Sequence, residues 1–401
     1  MTSSPKRSIL ARLRRRSPSY LLRYAALRLY EKTGAAQLLF PVLDRDLADS
    51  SRLRPFRTRA VTPGSRPSVA WVIHPPTPGS GGHTTLFRMV RAAADAGFAC
   101  TLLLYDLHHG DHRYYHDVIR HAWPSLSDVG IAMVGERISG YDAVVASSWS
   151  TAHVIASRAV EGKRLYFIQD YEPFFTPRGS EYAYAEDSYR LGFRHLALGE
   201  MVQGLLRDEL GVASDLIPFG LDTRTYRLLP STTERRGVCW YAKTGSDRRG
   251  YRHAVRALQL FHEEHPDEPI HVYGDAVSGL PFPVTHHGVL SAARLNELYN
   301  TVVAGLALSF TNVSLVPEEL LAAGAIPVVN EDPHARMVLR APGVVWAAAT
   351  PAALADALGS VLAHSDRRAR AAAAARSVSG RSWDPAEEAV VEVLREELGI
   401  A

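Results

Sequence analysis

Phe310–Asn330 reads FTNVSLVPEELLAAGAIPVVN. A short polar loop, Thr311–Leu315, runs into a small-residue helix that carries the adjacent carboxylates Glu318 and Glu319 and closes at Gly324, a residue suited to a helix C-cap. The apolar strand Ala325–Asn330 follows at once. A loop entering a helix in this way aims backbone N–H groups outward, here those of Val313, Ser314 and Leu315, and such groups at a helix start attract an anion. Asn312 opens the same turn. Glu319 stands one turn into the helix, where a carboxylate can hold the adjacent hydroxyls of a ribose. A loop, helix and buried strand in this order is half of a βαβ unit.

Working back from that stretch, short apolar runs alternate with helical patterns from about Val69. Strands are expected at Val69–His74, Ala99–Tyr105, Asp142–Ser148 and Arg164–Gln169, with helices at Thr84–Ala96 and Thr151–Val160. After Tyr226 the pattern restarts with strands Gly237–Ala242, Ile270–Gly274 and Gly305–Phe310 and helices Tyr251–Glu264 and Ala292–Val303. Continuous apolar strands separated by helices imply parallel sheets covered on both faces. The expected fold class is α/β, with two Rossmann-like doubly wound domains facing a cleft. The expected divisions are 1–60, 61–225, 226–383 and 384–401. The hinge lies near Leu221–Glu234, around the Pro230-Ser-Thr-Thr run, and the last helix is Pro385–Leu398.

The length of 401 residues suits two or three domains, and 46% apolar with 22% charged residues is the composition of a soluble globular protein. Cys100 and Cys239 both sit in apolar runs, which argues against a disulfide framework and for a reducing, cytoplasmic setting. No apolar run approaches the ~18 residues that span a bilayer, and no signal-peptide pattern opens the chain. The net charge of +3 conceals an asymmetry: residues 1–60 hold 14 Lys/Arg against four acids, +10, which leaves −7 for the other 341. Ile9, Leu10, Leu13, Tyr20, Leu21, Leu22, Tyr24, Leu27, Leu29 and Tyr30 are interleaved with Arg12, Arg14, Arg15, Arg16, Arg23 and Arg28. A basic amphipathic helix on an anionic membrane surface fits this mixture, and so does a solvated tail followed by a helix packed on the body. No nucleic-acid motif accompanies the charge, so nucleic acid is not an expected partner.

Further candidates lie at strand ends. Pro78-Gly-Ser-Gly-Gly-His83 follows a strand and precedes a helix; Gly81 and Gly82 let a ligand approach the backbone, and His83 stands at the helix start. The spacing is not GxGxxG, which argues against dinucleotide binding. Lys243, Arg248 and Arg249, in YAKTGSDRRGYRHAV, follow the first strand of the second domain and point positive charge into the cleft, where they can neutralise a departing diphosphate. Asp106, His108, His109, Asp111, His112 and His116 cluster without a Cys or HExxH pattern, so no metal site is read there. Of Tyr166, Phe167, Tyr171, Phe174 and Phe175, the strand-borne pair is read as core and the rest as sugar-stacking surface.

YFIQDYEPFFTPRGSEYAYAEDSYRLGF, the Gly-Gly-His83 loop, YAK…RRG and TNVSLVPEELLAAGAIPVV together resemble WsaF-type rhamnosyltransferases. These are GT-B glycosyltransferases of bacterial cell-surface polysaccharide assembly that use dTDP-rhamnose. The resemblance covers about Val69 to Trp383. It implies that Lys243 with Arg248 or Arg249 binds diphosphate, that Val313, Ser314 and Leu315 bind phosphate through their backbone, and that Glu319 holds the ribose. Gly274 and the Gly288–Leu290 turn, with Val289 and Leu290, would border the base. It implies a final helix crossing back to the first domain, and no metal or other cofactor. The acceptor hydroxyl, of a glycan, lipid-linked or small-molecule acceptor, would enter near Gly81, Gly82, His83, Gln169 and Glu172.

Two departures from that pattern stand out. The first glutamate of the usual Glu-x7-Glu falls on Thr311, and a strand-end His is replaced by Gln169 before Asp170. Asp170 is then the candidate general base or acceptor-orienting group, with Glu172 behind it. Two other classes fit the same architecture: a sugar-nucleotide epimerase, which needs no acceptor, and a non-catalytic GT-B-like partner, which turns nothing over. An oxidoreductase of paired Rossmann-like domains is disfavoured by the missing fingerprint.

Overall fold

The computed structural model describes residues 17–53, 56–59, 61, 64–108, 110–230 and 234–400. Strands β1 (Ser68–Ile73), β2 (Ala99–Leu104), β3 (Gly130–Met133), β4 (Ala143–Ala146), β5 (Lys163–Ile168), β6 (Arg194–Leu198) and β7 (Asp215–Ile217) form one sheet in the order β3-β2-β1-β4-β5-β6-β7. Strands β8 (Val238–Ala242), β9 (Ile270–Gly274), β10 (Thr285–Gly288), β11 (Ala304–Leu306), β12 (Ile326–Asn330) and β13 (Val345–Ala347) form a second, ordered β10-β9-β8-β11-β12-β13. Every strand pair is parallel. The chemistry of β1 explains why: Val69, Ala70, Trp71, Val72 and Ile73 are all fully buried, so both faces need a helical cover.

Helix α1 (Pro18–Lys32) precedes the first sheet. Helices α2 (Gly81–Asp95), α3 (His112–Ala122), α4 (Trp149–Arg158), α5 (Ser180–Asp187) and α6 (Glu200–Leu210) belong to it. Helices α7 (Tyr251–Glu264), α8 (Ala292–Thr301), α9 (Val316–Ala322), α10 (Pro333–Val338), α11 (Pro351–Leu362) and α12 (Arg367–Ser377) accompany the second sheet, and α13 (Asp384–Leu398) ends the chain.

The structure departs from the sequence reading in four places. First, α2 starts at Gly81 rather than Thr84, because the Ser80 hydroxyl accepts from the His83 N–H and pulls both glycines into the first turn. Second, β11 ends at Leu306 and not Phe310. The Asn330 side chain takes over the ladder, accepting from the Ser309 N–H and donating to its carbonyl, and the chain peels away from the sheet. Third, Leu221 already packs with Tyr226 in the second core, so the crossing precedes the expected boundary. Of the Pro230-Ser-Thr-Thr run, residues 231–233 lie outside the described residues. Fourth, β3, β6, β7, β10 and β13 are too short or too mixed in polarity for the pattern to have marked them.

The basic extension is not one unit. Its first 16 residues, with Ile9, Leu10, Leu13, Arg12 and Arg14–Arg16, lie outside the described residues. Helix α1 buries none of its residues. From Val42 on, the segment joins the first domain: Asp46 is buried, accepts from Arg158 at 2.6 and 2.7 Å and from the Tyr105 hydroxyl at 2.8 Å, and the Ala48 N–H donates to His153. Cys100 and Cys239 are buried, free thiols.

Two chain segments cross between the sheets, and they touch. Helix α13 returns to the first core, where Ala386, Val390, Val391 and Leu394 pack with residues of α2 such as Leu86, Met89 and Val90. Just ahead of it, Trp383 lies against Gly220, where an added Cβ would come within 2.5 Å of the indole and 2.7 Å of the Trp383 Cα. Arg381 ties the same point, donating to Phe219 O at 2.6 Å and pairing with Glu318 at 2.9 Å. Gly220→Ala should therefore cost about 1–3 kcal/mol and lower Tm by several degrees in thermal unfolding. An unchanged Tm would show that this crossing is loose.

Candidate active site

In doubly wound sheets ligands bind beyond the carboxyl ends of the strands, where the strand order reverses. That point lies between β1 and β4 in the first sheet and between β8 and β11 in the second. The loops after β1, β5, β8 and β11 meet there. A methyl added to Gly79 would lie 3.5 Å from Val289 Cγ1, and one added to Gly82 would lie 3.7 Å from Gln169 Oε1. The closest junction is Asp170. Its carboxylate accepts from Thr311 Oγ1 at 2.7 Å, from the Asn312 N–H at 2.9 Å and from Arg248 Nη1 at 3.2 Å. Asn312 Nδ2 returns the link, donating to Gln169 O at 2.8 Å and Leu198 O at 3.4 Å. Asn312, expected on the donor, is thus fully engaged in joining the domains.

The three cations differ in state. Lys243 donates to Asp275 Oδ1 at 3.0 Å, which raises its pKa, and its side chain is 43% exposed. Arg248 pairs with Asp170 and lies 4.3 Å above the Phe175 ring. Arg249 donates to the Ser309 hydroxyl at 2.9 Å, and no carboxylate among the described residues lies within ion-pair reach. Burial, then the repulsion of Arg248, pulls its pKa down to about 10. A buried guanidinium without an ion pair among the described residues has the chemistry to bind an anion.

The loop after β11 is only partly available to a ligand. The Val313 N–H donates to the Asn312 side chain at 2.9 Å, which removes it from the expected phosphate-binding set. The Val313 and Leu315 side chains pack against the first domain's cores. Ser314 lines a small pocket with Ser309, Val313 and Asn330. Helix α9 is seven residues long with two carboxylates in its first turn, so its N-terminus contributes less than a long helix would. Those carboxylates diverge. Glu318 pairs with Arg381, and burial pushes its pKa up to about 7. Glu319 is half-buried, hydrogen-bonded to the Tyr226 hydroxyl, and has no ion pair among the described residues; burial pushes its pKa up to about 8. Tyr226 was not foreseen, because a lone tyrosine before a hinge carries no motif.

On the first domain several expectations change. His83 uses both ring nitrogens, Nδ1 with the Ser80 hydroxyl at 2.8 Å and Nε2 with the His74 carbonyl at 3.2 Å. Nε2 donates to that carbonyl, and burial lowers the ring's pKa. It caps a turn in this conformation and offers no free nitrogen. Glu172 is buried and accepts from the Trp149 N–H at 2.5 Å and the Tyr166 hydroxyl at 3.3 Å. It anchors the start of α4 and does not reach the cleft. Gly81 and Gly82 stay exposed at the start of α2, and Gln169 is half-buried beside them. Gly274 has φ 102°, and a Cβ there would meet Ala242 O at 2.5 Å, so its glycine is explained by strand geometry. Val289 is 75% exposed and Leu290 packs on the second core. In the histidine cluster, Asp106 accepts from the His108 and Gly110 N–H groups and from Tyr115, and Asp111 caps α3; His109 lies outside the described residues.

Comparison with known proteins follows this geometry. Residues 236–359 match the family model described as WsaF, C-terminal domain. The chain is 31% identical over 268 residues to the O-antigen biosynthesis protein RfbC of Myxococcus xanthus, a match covering 63% of this chain and 20% of that protein. It thus spans about a fifth of that relative's length. Anabaena Alr3699/HepE, solved in complex with UDP and glucose, superposes with a TM-score of 0.62 at 15% identity over 82% of this chain and 100% of that one. WaaG, a glycosyltransferase involved in lipopolysaccharide biosynthesis, superposes with a TM-score of 0.55 at 15% identity over 81% and 99%. The fold is that of GT-B glycosyltransferases.

Glu172 allows a clean test of its buried state. Its pKa is pushed up to about 8 by burial, then by the nearby Asp170 charge, against the hydrogen bond from Trp149. Between an unfolded value near 4.5 and that folded value, the native state binds more protons, so stability falls as pH rises across this window. Above pH 6.5, where the buried histidines no longer titrate in the unfolded chain, Tm should decline toward pH 8, and Glu172→Gln, which keeps an acceptor for Trp149, should flatten the decline. An identical slope in the variant would mean that Glu172 is ionised in the folded protein.

Proposed function

We propose, for a WsaF-like chain of the GT-B fold, that the protein is a glycosyltransferase moving a hexosyl group from a nucleoside-diphosphate sugar to a hydroxyl of a cell-surface glycan, glycolipid or natural-product acceptor. The observation that carries this reading is a pair of partly buried polar groups in the second domain that lack a partner of opposite charge. Among the described residues Arg249 has no carboxylate within ion-pair reach and Glu319 has no ion pair, only the Tyr226 hydroxyl. Leaving both partly buried costs folding free energy, and a ligand with an anionic group and a vicinal diol relieves both. A nucleoside-diphosphate sugar has that chemistry. The UDP complex of HepE supports it, the name of RfbC supports a polysaccharide setting, and the WsaF likeness favours a deoxyhexosyl donor such as dTDP-rhamnose.

In this mechanism Arg249 and Lys243 hold the diphosphate and Glu319 the ribose, with the base beside Gly274 and Leu290. The acceptor hydroxyl approaches from the first domain past Gly81, Gly82 and Gln169. Its oxygen forms a bond to the anomeric carbon while the bond from that carbon to the diphosphate breaks. The electron pair leaves with the nucleoside diphosphate, stabilised by the cations. Asp170 takes the acceptor proton at Oδ2 once Arg248 has turned from that oxygen to the diphosphate, since Oδ2 otherwise accepts from both Arg248 and Thr311.

A thermal-shift panel with dTDP, UDP, GDP and NAD tests the reading. A diphosphate at about 100 times its Kd should add ~2.7 kcal/mol of stability. Glu319→Ala should raise donor KM roughly 10- to 100-fold, the effect of losing hydrogen bonds to a charged group worth about 1.5–3 kcal/mol. Lys243→Ala should lower kcat on the order of 100-fold. No shift with any diphosphate, or full turnover in both variants, would sink this assignment.

Residues 17–39 are the segment we place on an anionic membrane from the cytoplasmic side. Helix α1 leaves Leu22, Leu27 and Leu29 at 73%, 51% and 63% exposure among Arg23, Arg28 and Lys32, and Leu38 and Leu39 beyond it are equally uncovered. Among the described residues no helix is long and apolar enough to cross a membrane. The protein should co-sediment with vesicles containing phosphatidylglycerol, less so at high salt, and a chain lacking residues 1–39 should stay in the supernatant. Equal sedimentation of both would move attachment elsewhere.

A further inference from the structure

The run PFFTPRGSEYAY, between β5 and the middle of α5, is not used by the donor chemistry. It supplies four of the five residues that line an open pocket of about 360 Å³, Phe174, Thr176, Arg178 and Tyr182, and Phe310 of the second domain is the fifth. Phe174 and Phe310 are each 39% exposed, high for aromatic side chains in a folded body. Phe174 is braced at an angle of 69° against Tyr171, with ring centroids 4.8 Å apart. The Arg178 guanidinium lies 5.3 Å from the Tyr182 ring centre and has no ion pair among the described residues. No acidic residue lines the pocket.

Its position matters as much as its lining. The Phe310 N–H donates to Arg248 O at 2.9 Å, and the Arg248 side chain runs 4.3 Å over Phe175 to reach Asp170 at 3.2 Å. The pocket therefore opens directly beside the carboxylate and cation that join the domains. Because one wall comes from the second domain, it is complete only when the two domains are together.

We propose that this pocket is the acceptor subsite, and that it takes a pyranose ring bearing an anionic substituent, a uronate or a glycosyl phosphate. A pyranose has an apolar C–H face that packs on aromatic rings and a rim of hydroxyls that needs polar partners. Phe174 and Phe310 offer the first, Thr176 and Arg178 the second. Arg178, with no carboxylate among the lining residues and no ion pair among the described residues, selects for negative charge through a bidentate hydrogen bond. The inference rests on the glycosyltransferase reading, and it adds the class of acceptor and the residues that choose it.

The test uses the full-length protein saturated with UDP or dTDP, whichever shifts its Tm. Methyl β-glucuronide, glucose 1-phosphate and neutral methyl β-glucoside are added singly and observed by saturation-transfer NMR. Saturation should reach the ring protons of at least one anionic probe and be weaker for the neutral glycoside. The anionic probe that responds separates a uronate from a phosphate. Arg178→Ala should abolish the preference for charge, and Phe174→Ala should weaken all binding at least fivefold, both with the nucleoside-diphosphate shift intact. If that shift is present and no probe binds, or if both variants bind as the parent does, the acceptor subsite is wrong while the donor site stands. If the nucleoside-diphosphate shift is itself absent, the glycosyltransferase reading has failed and takes this inference with it.

Discussion

The arrangement of the two domains depends on the carboxylate of Asp170. It sits at the end of β5, almost sealed from solvent, and collects a hydroxyl, a backbone N–H and a guanidinium from the other domain. A carboxylate in such a place is costly unless each oxygen is satisfied. Asn312 completes the junction by bonding the free carbonyls at the ends of β5 and β6. The same junction sets the distance between the two loop systems, and so the size of the cleft between them.

Charge is then distributed unevenly around that junction. Arg248 and Lys243 have carboxylate partners, whereas Arg249 and Glu319 have no ion pair among the described residues. Glu318, next in sequence to Glu319, faces the other way and locks the crossing at Arg381. Adjacent residues on a helix point about 100° apart, so one of the pair serves the link between domains while the other meets the Tyr226 hydroxyl. Glu172 is a third buried carboxyl, and its surroundings make it a structural anchor for α4.

The periphery has two characters. The residues after Val42 are a genuine part of the first domain, held by the buried Asp46–Arg158 pair. The helix before them buries none of its side chains and carries both apolar and basic ones outward. On the opposite side of the functional problem, the half-exposed aromatics after β5 gather at the mouth of the cleft. Both groups are apolar surfaces left uncovered by folding, which is where a protein meets something else.

The α/β class, the two doubly wound sheets and the loop–helix–strand unit at Phe310–Asn330 were legible in the sequence. Strands buried on both faces must be continuous apolar runs, and helix ends carry local signals such as Ser80 and Gly324. The position of Lys243 just past β8 was legible for a related reason, since the end of a parallel strand is a fixed place in the topology. What the chain does with its polar groups was not legible. That His83 caps a turn, that Glu172 lies in the core, that the Val313 N–H is taken by Asn312 and that Asp170 binds the other domain all depend on partners distant in the chain or on local rotamers. Periodicity reports which residues leave water. Only the tertiary structure decides which donor each buried acceptor meets, because that pairing is set by the packing of elements whose sequence separation reaches 142 residues between Asp170 and Asn312.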